Sequence, residues 1–496
     1  MQKIIGFLVP VLLFVNCSKR VNTEIPSPER GQTESFATAI PLKTWSKTPS
    51  LAAPLPGVNL EIFPLLSSED TLPGSPGFIF GGQPDGQAFM KSPKKDGFWM
   101  ITNHEAFRSV SRVTLDSNLR PVKGEYIVDA EGGRWNLCSA SLATIAANGF
   151  GPLYLTAGEG GEESMVHGIK VTASTADRKN GDRVLPALGK ANMENALPLP
   201  LAAFPNRTII MIGEDQGPST AHQSAGQLGM YFSNTVGDLE NGRLYHLARP
   251  NRITAETNMT TGMVYDVEFL EIPDAKLSTG KQINDYTTAL NTIRFARIED
   301  LDYRKGSAAN NREIYFTATG VAAARTNPIP GYNMWGRLYK LVLDTANPLK
   351  GKLEVVMDGG KNPGIDLINP DNVCATTNYV YVQEDGDSYY TAASHDSYIW
   401  QYHCKTKTYK PVITMNHRRS DPEFNSRFNP LGNQRLGSWE FGAMTDISNF
   451  TKVPNTFLLN IHAHTWVDNR FSNPDGSGLT SSKEGGQTLV IKGLPR

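Results

Sequence analysis

The sequence predicts an all-β chain, a β-propeller of about six blades with irregular insertions. Three observations carry that prediction. Short apolar strands recur along the chain, and most of them end in carboxylate or imidazole groups. Two phrases placed after such strands, "GRLYHLA" at 242–248 and "GRLYKLV" at 336–342, are nearly the same. Before most of the tipped strands comes a segment with a single polar landmark, at a similar spacing each time. A repeating antiparallel unit is the signature of a radial array, whose blades bury one another's faces. A β-sandwich would not return its polar landmarks in phase.

The tipped strands come first. "GFWMITNHEAF" ends at Asn103, His104 and Glu105, and "GPLYLTAGEGGEE" at Glu159, Glu162 and Glu163. "RTIIMIGEDQG" ends at Glu214 and Asp215, while "REIYFTATG" ends without acids at Thr319 and Gly320. "NYVYVQEDGD" ends at Glu384, Asp385 and Asp387, and "TFLLNIHAHTW" at His462 and His464. In the fifth of these, Tyr379, Tyr381 and Gln383 alternate with Val380 and Val382, the period of a strand. The landmarks are Cys138 in "WNLCSAS", Glu299 in "FARIEDLDY", Asp371 in "INPDNV" and Glu440 in "SWEFGAM". Stretches near 172–204 and 250–292 read as insertions.

If each tipped strand is the inner strand of its blade, the acids meet at the rim of a central channel. Carboxylates crowded out of water repel one another unless cations sit among them. Hard oxygen ligands suit Ca²⁺, which takes six to eight of them. The acids therefore read as a calcium cage. His462 and His464 are two apart and share a face, a spacing that can bind a metal. One partnered channel histidine beside one packed histidine is the preferred reading.

The start of the chain, "MQKIIGFLVPVLLFVNC", has one Lys and an apolar run too short to span a bilayer. It reads as a lipoprotein signal peptide over 1–17, with Cys17 carrying the lipid. Residues 18–56, rich in Ser, Thr, Pro and charges, read as a disordered tether, and 57–496 as the propeller domain. This places the chain in the cell envelope, lipid-anchored on the periplasmic side or the surface, as a monomer. A formal net charge of -1 with no basic stripe excludes a nucleic-acid partner. Beyond Cys17, the cysteines are Cys138, Cys374 and Cys404, of which two can pair; Cys138 is the expected odd one.

The ordered phrases "FGGQPDG" (80–86), "NHE" (103–105), the Cys138 loop, "GEDQG" (213–217), "RIED" (297–300), "PDNV" (370–373) and "NIHAH" (460–464) resemble the PhoX-type alkaline phosphatases. Those are exported, calcium- and iron-dependent β-propellers. The resemblance implies a phosphomonoester substrate, Ca²⁺ and Fe as cofactors, and specific roles. Cys138 would correspond to the iron-ligating cysteine. Arg297 and Glu299 would bind phosphate and metal, with Glu214 or Asp215 as a further ligand. Glu105, Glu159, Asp371, Asp385 and Glu440 would ligate calcium or iron. Arg108 and Arg134 are weaker candidates of the same type as Arg297. The sequence departs from the family after Cys138 ("CSASLAT"), at Ile298 where the family has Pro, and in lacking a twin-arginine signal. The alternative is a non-catalytic, calcium-stabilised propeller lipoprotein that binds an envelope or host ligand.

Overall fold

Six strands carry an acid or thiol within their first three residues: Pro84–Lys91, Asn136–Ala143, Met193–Pro198, Ile298–Tyr303, Pro370–Ala375 and Glu440–Asp446, the second and the last three of them at the expected landmarks. In the computed structural model they stand in a ring, each beside the next and the last beside the first. Each pairs antiparallel with the strand that follows it outward: Phe98–His104, Leu153–Glu159, Thr208–Glu214, Glu313–Ala318, Tyr379–Glu384 and Thr456–Val467. The tipped strands are thus second in their sheets, not innermost as their acids suggest; the landmark strands line the axis. Residues 38–94, 96–219, 225–321, 329–360, 367–385 and 395–496 are described. Cys17, with the expected signal peptide, and Asp387 lie outside them.

The chain is nearly all β, with a propeller-like arrangement of sheets. Hydrogen bonding divides the strands into five sheets, of five, nine, four, four and three strands, and not into six separate blades. The nine-stranded sheet is continuous because Val264–Ile272 pairs with Arg243–Ala248 on one side and Lys350–Asp358 on the other. That strand lies in a stretch the sequence marks as an insertion. The same stretch carries the helix Gly280–Leu290, opened by a Thr279–Gln282 capping box that satisfies two N-terminal donors. The other expected insertion also supplies structure, since it contains the ring strand Met193–Pro198.

Each sheet packs between two neighbours, so the second strands are buried on both faces; all of Phe98–His104 is buried. The alternation in 379–384 accordingly does not mark an exposed face: Val380, Tyr381 and Val382 are all fully buried. Tyr381 belongs to one core cluster and the two valines to another. Burying each such side chain contributes about 1.5–3 kcal/mol. Trp400, Trp439 and Trp466 are among the largest side chains in these cores.

An early strand, Glu61–Ser67, pairs with the last strand, Glu484–Lys492. Residues 39–496 form a single compact unit. The end of the expected tether therefore lies on the body. Ile40 N donates to Thr451 O (2.9 Å), Trp45 N to Pro64 O (2.8 Å), and Ala52–Pro54 adds a strand beside Tyr409–Met415. Cys138, Cys374 and Cys404 are all unpaired. Among the described residues no helix is long and apolar enough to cross a membrane.

Candidate metal centre

The register of the ring strands brings landmark and tip together. Pro84 pairs with His104, Asn136 with Glu159, Met193 with Glu214, Pro370 with Glu384 and Glu440 with His462. In each of the six pairs the register then shifts, close to the landmark. Such bulges twist a strand and re-aim a side chain. Every ring strand contributes one acid or thiol to a cavity of about 400 Å³: Asp85, Cys138, Glu194, Glu299, Asp371 and Glu440. Glu105, Glu159, Asp215, Asp385, Arg297, Gln83, His464 and Glu484 complete its wall.

Ten of the sequence-selected residues meet there, His464 among them; Glu214 does not line the cavity, and its neighbour Asp215 does. Burial, with Asp215 beside it, pushes the Glu214 carboxyl up to about 8. Arg108 and Arg134 also stay outside, Arg108 donating to the carbonyls of Arg134 and Leu479 at 3.4 and 2.9 Å. Asp85, Glu194, Gln83 and Glu484 are the residues that sequence reasoning missed. For Asp85 and Glu194 the available signal is their phase: each stands at the start of a ring strand, as Cys138 and Glu299 do.

The cluster is continuous. Ligand-type atoms of Asp85, Glu105 and Cys138 lie within 4.8 Å of one another, as do those of Cys138, Glu159 and Glu194, and of Glu194, Asp215 and Glu299. The Cys138 thiol donates to Glu159 Oε2 at 3.4 Å, and Ser139 N donates to Glu194 Oε1 at 3.1 Å. Arg297 Nε donates to Asp215 Oδ1 at 2.8 Å and Nη2 to Oδ2 at 3.1 Å, while Nη2 also reaches Glu299 Oε1 at 2.7 Å. Thr319, at the tip without acids, donates to Glu299 at 2.8 Å. Arg297 has a φ of 66°, a left-handed conformation that is costly for a long side chain and gathers at functional sites.

The electrostatics share one direction. Burial, then repulsion from neighbouring carboxylates, pushes Glu105, Glu194, Glu299 and Asp371 well above the usual carboxylate range, despite Arg297 beside Glu299. Burial lifts Asp85 to about 6, and burial with Asp215 lifts Glu159 to about 7. Burial and Glu194 raise the Cys138 thiol. On the other side, burial opposes but does not prevent a drop at Glu440, which His462 and His464 hold low. Against the same burial, Glu484 and Glu440 keep His464 protonated to higher pH. The basin therefore calls for added positive charge. Buried Asp85 Oδ1 has no hydrogen-bond partner, and a donor set of carboxylates with one thiolate fits hard divalent cations plus one softer ion.

No family model and no curated protein matches this sequence. Among solved structures the chain is similar to Pseudomonas fluorescens PhoX in complex with vanadate, a transition-state analogue. The TM-score is 0.56 over 92% of this chain and 97% of that one, at 12% identity. The fold is of the propeller type. At that identity the likeness extends to the fold alone. A mutant of the α-L-arabinofuranosidase Arb93a of Fusarium graminearum, in complex with an iminosugar inhibitor, covers 83% of this chain and 93% of its own. Its identity is 10% and its TM-score 0.38. The PQQ-bound aldose sugar dehydrogenase of Streptomyces coelicolor covers 89% and 100%, at 10% identity and 0.34. Overlap that loose carries no argument.

Proposed function

We propose that this chain is a PhoX-like, metal-dependent phosphomonoester hydrolase. The observation that carries the proposal is the meeting of Arg297, Cys138 and Glu299 in one acid-walled cavity at the end of the ring. The ring strands would count six blades, two of them fused through Val264–Ile272 into the nine-stranded sheet. Calcium would be held by Asp85, Glu105, Asp371, Asp385 and Glu440, and iron by Cys138, Glu159 and Glu194, with Asp215 and Glu299 beside it. Bound there, the metals would supply Lewis-acid stabilisation of phosphoryl charge.

The chain's own groups do the rest. Arg297 stays charged because Asp215 and Glu299 compensate its burial, and its side chain is 33% exposed, toward the cavity. A guanidinium presents a planar fork that grips two phosphate oxygens at once, which a lysine does not. Asp215 orients that fork from behind, through two hydrogen bonds. Arg297→Ala should therefore reduce phosphomonoester hydrolysis by about 10²-fold or more, with the fold intact by circular dichroism. Full activity in that variant would contradict the assignment.

The same clamp favours one second reading, since Asp215 and Glu299 already answer the arginine's charge. On that reading the protein is a calcium-stabilised propeller that binds an envelope or host ligand. It prevails if the wild type, loaded with calcium and iron, hydrolyses none of several monoesters. Export and a lipid anchor at Cys17 belong to either reading, supported by the apolar run that ends there. Mass spectrometry of the N-terminal peptide should find an acylated Cys17; an unmodified N-terminus beyond it would contradict the anchor.

A further inference from the structure

We propose that Glu440, His462 and His464 form a nitrogen-donor metal site for a first-row divalent transition ion such as zinc. The site stands at one wall of the cavity, with Glu440 shared between it and the carboxylate basin. It differs in chemistry from the carboxylate and thiolate basin beside it, and it does not rest on the phosphatase reading. The strand Thr456–Val467 places both imidazoles on one face, and its register sets His462 opposite Glu440. Ligand-type atoms of the three residues lie within 4.8 Å of one another.

His462 is the decisive residue. It is 0% exposed, and neither ring nitrogen has a hydrogen-bond partner. Leaving buried polar atoms unsatisfied is costly and rare. Its Nδ1 lies 3.2 Å from Glu440 Oε2 and 4.0 Å from Glu105 Oε2, close enough to Glu440 for charge attraction but misaligned for an N–H hydrogen bond. Two ligands of a tetrahedral zinc ion, each about 2.0–2.1 Å from the metal, are themselves about 3.3 Å apart. A shared ion accounts for an imidazole that faces a carboxylate at that separation without bonding to it.

His464 is oriented as a ligand would be. Its Nε2 lies 3.1 Å from the same Glu440 oxygen, and its Nδ1 lies 2.9 Å from Glu484 Oε2. Gln83 Nε2 donates to that Glu484 oxygen at 2.8 Å. With Glu484 accepting the Nδ1 proton, the Nε2 lone pair points into the site, the carboxylate–histidine–metal relay of metalloproteins. Imidazole nitrogens select zinc and its neighbours over calcium. Binding displaces the proton that His464 otherwise shares with its two carboxylates.

The full chain, stripped with chelator and resaturated with calcium, is titrated with Co²⁺ as a coloured stand-in for zinc. The expected result is one equivalent with visible bands of nitrogen and oxygen ligation, distinct from any cobalt bound at the Cys138 thiolate and displaced by zinc. His464→Ala should abolish those bands, and Glu484→Gln should weaken cobalt binding by about 10–100-fold. Cys138→Ser should leave the bands unchanged. Should His464→Ala not fold, by its calcium-dependent melting, Glu484→Gln decides. Wild type that binds no cobalt, bands that survive His464→Ala, Glu484→Gln with wild-type affinity, or bands that vanish with Cys138→Ser would each overturn the proposal.

Discussion

At the far end of the same six strands, Asp300, Asp302 and Asp446 line a second cavity of about 240 Å³, and each is answered by the protein itself. Asp300 accepts from Leu301 N at 2.7 Å and Val373 N at 2.8 Å. Asp302 accepts from Tyr303 N and Ala375 N at 2.8 Å each, and pairs with Lys305 at 2.5 Å. Asp446 accepts from Ser448 N at 3.0 Å and pairs with Arg496 at 2.5 Å. Burial, with a smaller repulsion from Asp302, works against this arrangement and pushes Asp300 up to about 7. At the near end ten carboxylates line the cavity, and among the described residues Arg297 and His464 are its only basic side chains. Acids paired by backbone N–H groups and lysines hold neighbouring strands together. Acids left in excess of their partners would make a receptor for cations.

The comparison breaks first at Asp302. Its removal leaves two backbone N–H groups and the Lys305 ammonium without their acceptor, at about 1–3 kcal/mol for each buried group. Asp302→Ala should lose about 3 kcal/mol or more in urea unfolding, equally in calcium and in chelator. A loss that calcium restores would place this acid with the near end.

A smaller effect sharpens the contrast through pH. In the metal-free protein, burial pushes Asp85 up to about 6, and burial with Asp215 pushes Glu159 up to about 7. The unfolded values lie near about 4. A carboxyl that holds its proton more tightly when folded contributes stability in full below about pH 4, and loses it as pH rises through about 6 to 7. Chelated protein should therefore be more stable at about pH 5 than at about pH 8, by about 1–3 kcal/mol. With calcium at Asp85 and iron at Glu159 in place of those protons, protein loaded with both metals should show no such fall. Urea midpoints at both pH values check it; equal midpoints without metal would contradict the crowding of charge.

Much of this site was legible because its residues recur in phase. Cys138, Glu299, Asp371 and Glu440 each interrupt an otherwise apolar or β-prone segment, and all four stand at the start of ring strands. Asp85 escaped because "QPDG" carries Pro, Asp and Gly, the residues of a turn. Glu194 escaped because "MENALP" has no β-branched or aromatic residue, so nothing local marks it as a strand. Tertiary placement made both into ring strands. The tipped strands were placed one position too far inward, since an acid at a strand's end does not say whether it reaches the axis along that strand or across a bulge. Blade separation was also beyond local pattern, because Val264–Ile272 bonds to two partners far apart in sequence. Arg297 came from the resemblance to a family; its left-handed backbone and double clamp are visible only in the structure.

The central claim is that cations complete the near end of the ring. A ligand bound only by the folded state stabilises it by mass action. The direct measurement is the thermal melting of the full chain at neutral pH as purified, after chelation, and after calcium is returned. Chelation should lower the melting temperature substantially, and calcium should restore it. Superimposable melting curves with and without chelator would contradict the claim, and would leave ten crowded carboxylates balanced by the protein alone.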